Sequence, residues 1–282
     1  MVEYCAVNLG KKVHEKKEEL RMMMKRLLAL CLAGLMLISA SALAEDDLLA
    51  RIQKRGSIVI ATEGNWAPWT YHDANDELVG LDIEIGKLIA EGLGVKAEFK
   101  ETDWNSIFGG IDSGRFDIAC NGVGYTKERA EKYTFSTPYV YTHKVLVVRD
   151  DNDTIHTVED LKGKRTANSA SSTYAALAEA QGAELTYVDT LAETITLLVQ
   201  GRVDATINAQ VSIENYLKEH PEARIKVVQV MPGDPVAYPV LKGEDTDSLM
   251  AAIDAILEAA RQDGRLAEIS LKYFDLDLTQ PD

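Results

Sequence analysis

Cysteine is scarce in this sequence, with three in 282 residues, at positions 5, 31 and 120. Two of them precede residue 45, so removal of the N-terminal segment argued for below leaves Cys120 alone and excludes an intramolecular disulfide. Cys120 then reads most simply as a buried strand residue, with a reactive thiol as the competing reading. Catalytic signatures are missing as well. The chain has no Gly-x-Ser-x-Gly elbow, no phosphate-binding glycine loop and no metal-ligand cluster, and His72, His143, His156 and His220 are scattered. Neither a cofactor nor a metal is therefore expected. Positive charge is in deficit: 30 Lys and Arg face 45 Asp and Glu, for a formal charge of −15. Such a surface repels a phosphate backbone, which argues against nucleic acid as a partner.

A bilayer-length hydrophobic run is also lacking. The apolar stretch Leu27 to Ile38 is short for a transmembrane helix and ends among serines and alanines. Preceded by Lys25-Arg26 and followed by the small-x-small triplet Ala42-Leu43-Ala44, it has the layout of a secretory signal peptide cleaved before Glu45. Leu30 stands where a lipobox needs a small residue, so Cys31 is not read as a lipid anchor. The long, mixed-charge segment ahead of this signal makes Met22-Met23-Met24 the expected start of translation. Residues 1–44 are thus read as an N-terminal extension plus signal peptide, and the mature protein as secreted, either periplasmic or on the cell surface. Removing them takes away seven basic and four acidic residues, so the remainder is more acidic still.

What is present is enough apolar sequence, 46% of the chain, for one large or two modest domains. Glu45 to Arg55 reads as an amphipathic helix stopped by Gly56, and Ile58 to Ile60 as a buried strand. The strand runs into a loop, Ala61 to Trp69. A turn follows at Asp73 to Glu77, then a helix from Leu81 to Leu93, a strand Ala97 to Lys100, and a helix carrying Ile107, Phe108 and Ile111 at core spacing. Strand alternating with helix implies a parallel sheet. The same alternation resumes after an extended run, Lys144 to Val148, with strands near Arg165, Glu184, Ala205 and Ile225. Met231-Pro-Gly-Asp-Pro235 reads as a return crossing, and helices Leu249 to Gln262 and Leu266 to Phe274 rejoin the first half.

Before the first crossing lies Phe116 to Tyr139, which changes from strand to loop to helix within a short span. Phe116, Ile118 and Cys120 alternate as a half-buried strand does, and Asn121-Gly122-Val123-Gly124 gives a loop that a ligand can approach closely. Thr126 is a candidate helix N-cap, which puts Arg129 on the first turn. There, free amides, the helix dipole and a guanidinium are expected to converge on an anion such as a carboxylate.

The run Asn121 to Arg129, followed by Tyr133-Thr-Phe-Ser-Thr-Pro-Tyr139, resembles the core signature of the polar amino-acid (family 3) extracellular solute-binding proteins, the ligand receptors of ABC importers. The likeness extends over essentially everything after residue 50. Phe116 to Arg129 and Arg202 to Asn208 look most like cystine-type and other polar amino-acid binders. The resemblance implies an α/β, two-lobed periplasmic-binding-protein fold of type II, with lobe 1 from 45–142 and 235–282, lobe 2 from 143–234, and ligand in the cleft between them. It implies a monomer that closes on a polar amino acid, cystine-like or cationic, and presents it to a membrane permease.

It also assigns roles. Arg129 corresponds to the arginine that holds the α-carboxylate, for which a planar guanidinium fork is suited. Gly122 and Gly124, next to the site residue Asn121, stand where the family presents backbone groups to the ligand, and Ser172 and Thr173 open a second-lobe helix whose amides and hydroxyls are expected to form a second anion-accepting end that shares the carboxylate; ordinary capping is the competing reading and does not exclude binding. Trp66 and Trp104 match the aromatic positions flanking the ligand side chain, both expected in polar loops, and Glu63 the residue reaching its far end. One position departs from the family. Where an Asp usually holds the α-ammonium, this chain has Ala209, so either the ammonium is met by Asn208, Gln210 or a carboxylate elsewhere, or the ligand is not a standard α-amino acid. Asp204 is read as structural. An enzyme on the same fold is the alternative, since dehydratases of prephenate-like substrates resemble these receptors; Glu63 or Asp103 would then be the general acid facing Arg129. A sensor module is the third reading and would need transmembrane and signalling segments beyond Asp282.

Overall fold

The computed structural model describes residues 47–281. The expected signal peptide and translation start, with Cys5 and Cys31, lie outside the described residues. Helix α1 (Leu48–Arg55) buries Ile52 and stops at Gly56, whose φ is +78°. Strand β1 (Ser57–Thr62) follows, then a small antiparallel meander of β2 (Asn65–Trp66), β3 (Thr70–His72) and β4 (Leu78–Val79), helix α2 (Leu81–Gly92), and β5 (Lys96–Glu101). The stretch expected to be loop from Ala61 to Trp69 therefore holds a two-residue strand; Trp66 and Trp69 stack at 5.3 Å across its end, and Trp69 is fully buried. Helix α3 (Trp104–Asp112) leads to β6 (Ile118–Ala119), α4 (Lys127–Lys132) and β7 (Tyr133–Phe135).

Strands β5, β1 and β6 form a parallel sheet in that order. Its core joins Ile58 and Ile60 of β1 to Leu81, Ile85 and Ile89 of α2, spaced four apart so that one helical stripe faces the sheet.

Strand β8 (Val140–Arg149) begins the second sheet, whose order is β10-β9-β11-β8-β12, with β9 (Arg165–Asn168), β10 (Glu184–Tyr187), β11 (Ala205–Ala209) and β12 (Ile225–Val236). Helices α5 (Thr173–Ala180), α6 (Leu191–Val199) and α7 (Gln210–Glu219) cover it. Val145 and Val147 face one core with Ile195, Leu198 and Ile213, while Leu146 and Val148 face another with Ile155, Leu161 and Ala178. An apolar run with both faces buried is what such a central strand requires. Asp204 is structural as expected, accepting from Arg165 Nη2 at 2.7 Å. Cys120 is buried, and burial pushes its thiol pKa well up, which suits an inert thiol rather than a reactive one.

The long strands β8 and β12 pair antiparallel, from Val140 opposite Val236 to Arg149 opposite Ile225. At one end Val140 and Val236 belong to the first core; a few residues along, β8 enters the second. Met231 to Pro235, expected as a return crossing, is a bulged stretch of β12 paired with β8. Strand β13 (Pro239–Leu241) then pairs with β7, and helices α8 (Asp247–Gln262) and α9 (Arg265–Phe274) place Leu249, Ile253, Leu257, Leu266 and Phe274 in the first core.

Candidate ligand-binding cleft

A cavity of about 810 Å³, counting the part open to solvent, lies where the carboxyl ends of β1 and β6 face β8, β11, β12 and the start of α5. Open α/β sheets place ligands at strand carboxyl ends. Of the residues singled out from sequence, Glu63, Trp66, Trp104, Gly122, Gly124, Arg129, Ser172, Thr173 and Asn208 all line it. Asn121 does not. It is fully buried behind Glu63, accepting the Glu63 N–H on Oδ1 at 2.8 Å and donating Nδ2 to Glu63 Oε2 at 2.6 Å. Its side chain holds Glu63 in place rather than meeting a ligand.

Arg129 is positioned by the cap that the sequence suggested: Thr126 Oγ1 accepts the Arg129 N–H at 3.1 Å. Helix α4 has only six residues, and the Arg129 amide is taken up by the cap, which leaves the guanidinium rather than a helix terminus as the cationic group facing the cleft. The guanidinium lies 5.4 Å from the Trp104 ring and 5.0 Å from the Phe108 ring. Nη1 donates to Gly124 O at 2.8 Å and Nη2 to Ser171 O at 3.0 Å. Ser171 belongs to the opposite wall, where its hydroxyl also donates to Asn105 Oδ1 at 2.9 Å. These bonds span the mouth of the cleft, so the structure is a closed one.

Gly122 adopts φ +55°, and a Cβ there would lie 2.6 Å from Trp66 Cζ3. The edge of the indole formed by Cζ3 and Cη2 therefore approaches bare backbone, which only glycine provides. The Gly122 N–H donates to Asp82 Oδ2, and Asp82 also accepts from the hydroxyls of Tyr139 and Tyr238, whose rings stack at 4.2 Å. Complete burial still raises Asp82 to a pKa of about 6. Asp82 reads in sequence as an ordinary first-turn acid; in the fold it ties the site loop to the residues that open β8 and follow β12.

Trp104 is the first residue of α3, not a loop residue, capped by Asp103, which accepts the Ser106 N–H at 2.9 Å. It is mostly buried against Phe108 and Ile107, and its Nε1 has no hydrogen-bond partner among the described residues. Ser172 caps α5 by accepting the Ala175 N–H at 3.1 Å, so the capping reading holds while the residue also lines the cavity. Glu63 is raised to a pKa of about 7, chiefly by burial and further by Asp103 and Asp189, against the hydrogen bond from Asn121.

Sequence reasoning missed the cavity residues Trp69, Lys144, Asn168, Tyr174, Asp189 and Asp234. Asn168 donates Nδ2 to Ile207 O at 2.7 Å, and its Oδ1 is buried with no partner among the described residues.

Residues 58–276 match the model of the bacterial extracellular solute-binding proteins, family 3. A probable amino-acid ABC transporter-binding protein of Haemophilus influenzae is 40% identical over 83% of this chain and 91% of its own length. The L-cystine solute receptor of Neisseria gonorrhoeae, in an unliganded open conformation, is 38% identical, with a TM-score of 0.56 over 83% of this chain and 99% of that one. An ancestral arginine-binding protein bound to arginine is 35% identical and superposes better, at a TM-score of 0.73 over 78% of this chain and 99% of that one. The better fit to a liganded relative accords with the hydrogen bonds spanning the cleft mouth. The chain belongs to the bacterial extracellular solute-binding proteins, family 3, and is a solute receptor with the two-lobed α/β fold of that family, not an enzyme built on it.

Proposed function

We propose that this receptor captures a polar amino acid, cystine-like or cationic, and hands it to the permease of an ABC importer outside the cytoplasm. The observation that carries the reading is Arg129, a half-buried guanidinium at the mouth of the cleft that reaches backbone carbonyls on both walls. A ligand carboxylate is the natural partner for such a fork, since it can accept two parallel bonds where carbonyls accept one each. Glycines 122 and 124 offer backbone beside it, Ser172, Thr173 and Asn208 offer polar groups from the facing wall, and Trp66 and Trp104 clamp the side chain. Glu63 then faces the far end, where a cationic or hydrogen-bonding tail would keep it ionised.

We place lobe 1 at 45–142 and 235–282 and lobe 2 at 143–234, because β8 and β12 pass from one core to the other near those points. Closure about these paired strands would sequester ligand and present both lobes to the permease, with the receptor acting as a monomer. Isothermal titration of the secreted chain, stripped of carried-over ligand by unfolding and refolding, with L-cystine, L-arginine and L-glutamine tests the reading. Saturable binding of at least one is expected; heat with none of them would refute it.

A further inference from the structure

The site lacks an acceptor at position 209, where Ala209 is fully buried and offers only a methyl group. Its neighbours do not take over. Asn208 turns Oδ1 to the Ala209 N–H at 2.9 Å and so presents a donor, and Gln210 lies off the cavity with Nε2 on Glu214 at 2.7 Å. Asn168 Oδ1 is a free acceptor among the described residues but carries no charge, so the group that can balance a ligand ammonium enclosed here is a carboxylate. Three line the cavity: Glu63, held by Asn121; Asp189, which accepts from Asn105 Nδ2 at 3.4 Å; and Asp234.

Asp234 is delivered by a backbone irregularity. In β12, Pro232 pairs with His143 and Pro235 with Tyr141, so Gly233 and Asp234 together stand opposite Thr142. A bulge of this kind re-aims a side chain beside a site. This one is built on glycine, since a Cβ at Gly233 would fall 2.0 Å from Thr142 O. It lays the carboxylate over Gly124, whose own Cβ would be 3.2 Å from Asp234 Oδ2. The carbonyl of the same Gly124 accepts from Arg129. Guanidinium and carboxylate thus flank one glycine, as partners for a carboxylate and an ammonium borne on one carbon must. Asp234 is also the charged group that Arg129 senses most strongly.

We propose that Asp234, presented by the β12 bulge, binds the ligand's α-ammonium in place of the carboxylate missing at position 209. In the structure its Oδ2 pairs with Lys144 Nζ at 2.8 Å, with side chains only 25% and 13% exposed. Lys144 is the cross-strand neighbour of Ala209 on one side and of Met231 on the other, so its ammonium occupies the ground that an Asp at 209 would neutralise. The lysine is an internal stand-in that the ligand's ammonium must outcompete. The site then selects α-amino acids over their deaminated analogues.

This rests on the amino-acid receptor reading, and the test separates the two. Titrations compare L-cystine with dithiodipropionate, and L-arginine with δ-guanidinovalerate, on wild type, Asp234→Asn, Lys144→Gln and the double variant. Asp234→Asn should weaken the amino acid by roughly thirtyfold or more and leave the deaminated analogue unchanged. The double variant, which leaves no orphan charge, should show the same selective loss, and Lys144→Gln should tighten the amino acid. If the double variant binds amino acids as wild type does, or loses both members of each pair equally, the inference is overturned while the receptor reading stands. If wild type binds none of these amino acids, both fall.

Discussion

Replacing Glu63 by Gln isolates a buried acid whose ionisation the fold opposes. Burial holds its pKa at about 7 against an ordinary value of 4.5, a difference worth about 3 kcal/mol. For an acid raised in this way, the native state binds the extra proton, so the favourable contribution is fully present below about pH 4.5 and disappears as pH rises through 7. Without ligand, wild type should therefore lose up to about 3 kcal/mol relative to Glu63→Gln between pH 4.5 and 8. Asp82, at about 6, titrates in both proteins and cancels from the difference. Urea unfolding of the two proteins across that range gives the comparison directly, with slope and midpoint read separately. Parallel pH profiles would refute the reasoning, because they would mean that Glu63 keeps an ordinary pKa. A cationic ligand tail beside Glu63 should reverse the trend, so that affinity for L-arginine rises with pH through neutrality in wild type and not in Glu63→Gln.

Asp82→Asn removes a carboxylate that takes three donors, from Gly122, Tyr139 and Tyr238; leaving one of them unmet should cost about 1–3 kcal/mol, measurable by denaturant unfolding. Gly233→Ala should destroy the β12 bulge, because its methyl would meet the Thr142 carbonyl, and titration should show weakened amino-acid binding with the two cores still folded by circular dichroism. Gly122→Ala should likewise displace Trp66 and quench or shift its fluorescence response to ligand.

Local chemistry made much of the site legible in advance. Thr126 as a cap, Arg129 three residues on, and glycines at 122 and 124 are read from short-range rules, and each takes its expected place. Errors came where distant segments decide the geometry. Asn121 sits in the right loop, but the partner that turns it inward, Glu63, is 58 residues away. Asp103 and Asn105 give Trp104 the look of a loop residue, although Asp103 is the cap that starts the helix. Asp234 lies in a Pro-Gly-Asp-Pro run that the sequence marks only as a return crossing. Only pairing with residues 141–143 makes it a bulge that aims into the cleft. Lys144 gives no signal at all, since its meaning depends on Ala209 across one strand and Asp234 across the other.

The most direct test of the receptor reading is ligand-dependent thermal unfolding of the chain from Glu45 to Asp282, wild type against Arg129→Ala. A ligand selective for the native state adds about 2.7 kcal/mol at one hundred times its Kd. Wild type should melt several degrees higher with L-cystine, L-arginine or L-glutamine, and Arg129→Ala, lacking roughly 1.5–3 kcal/mol of charge-assisted bonding, should lose most of that shift at the same concentration. An equal shift in both proteins would contradict carboxylate capture by Arg129.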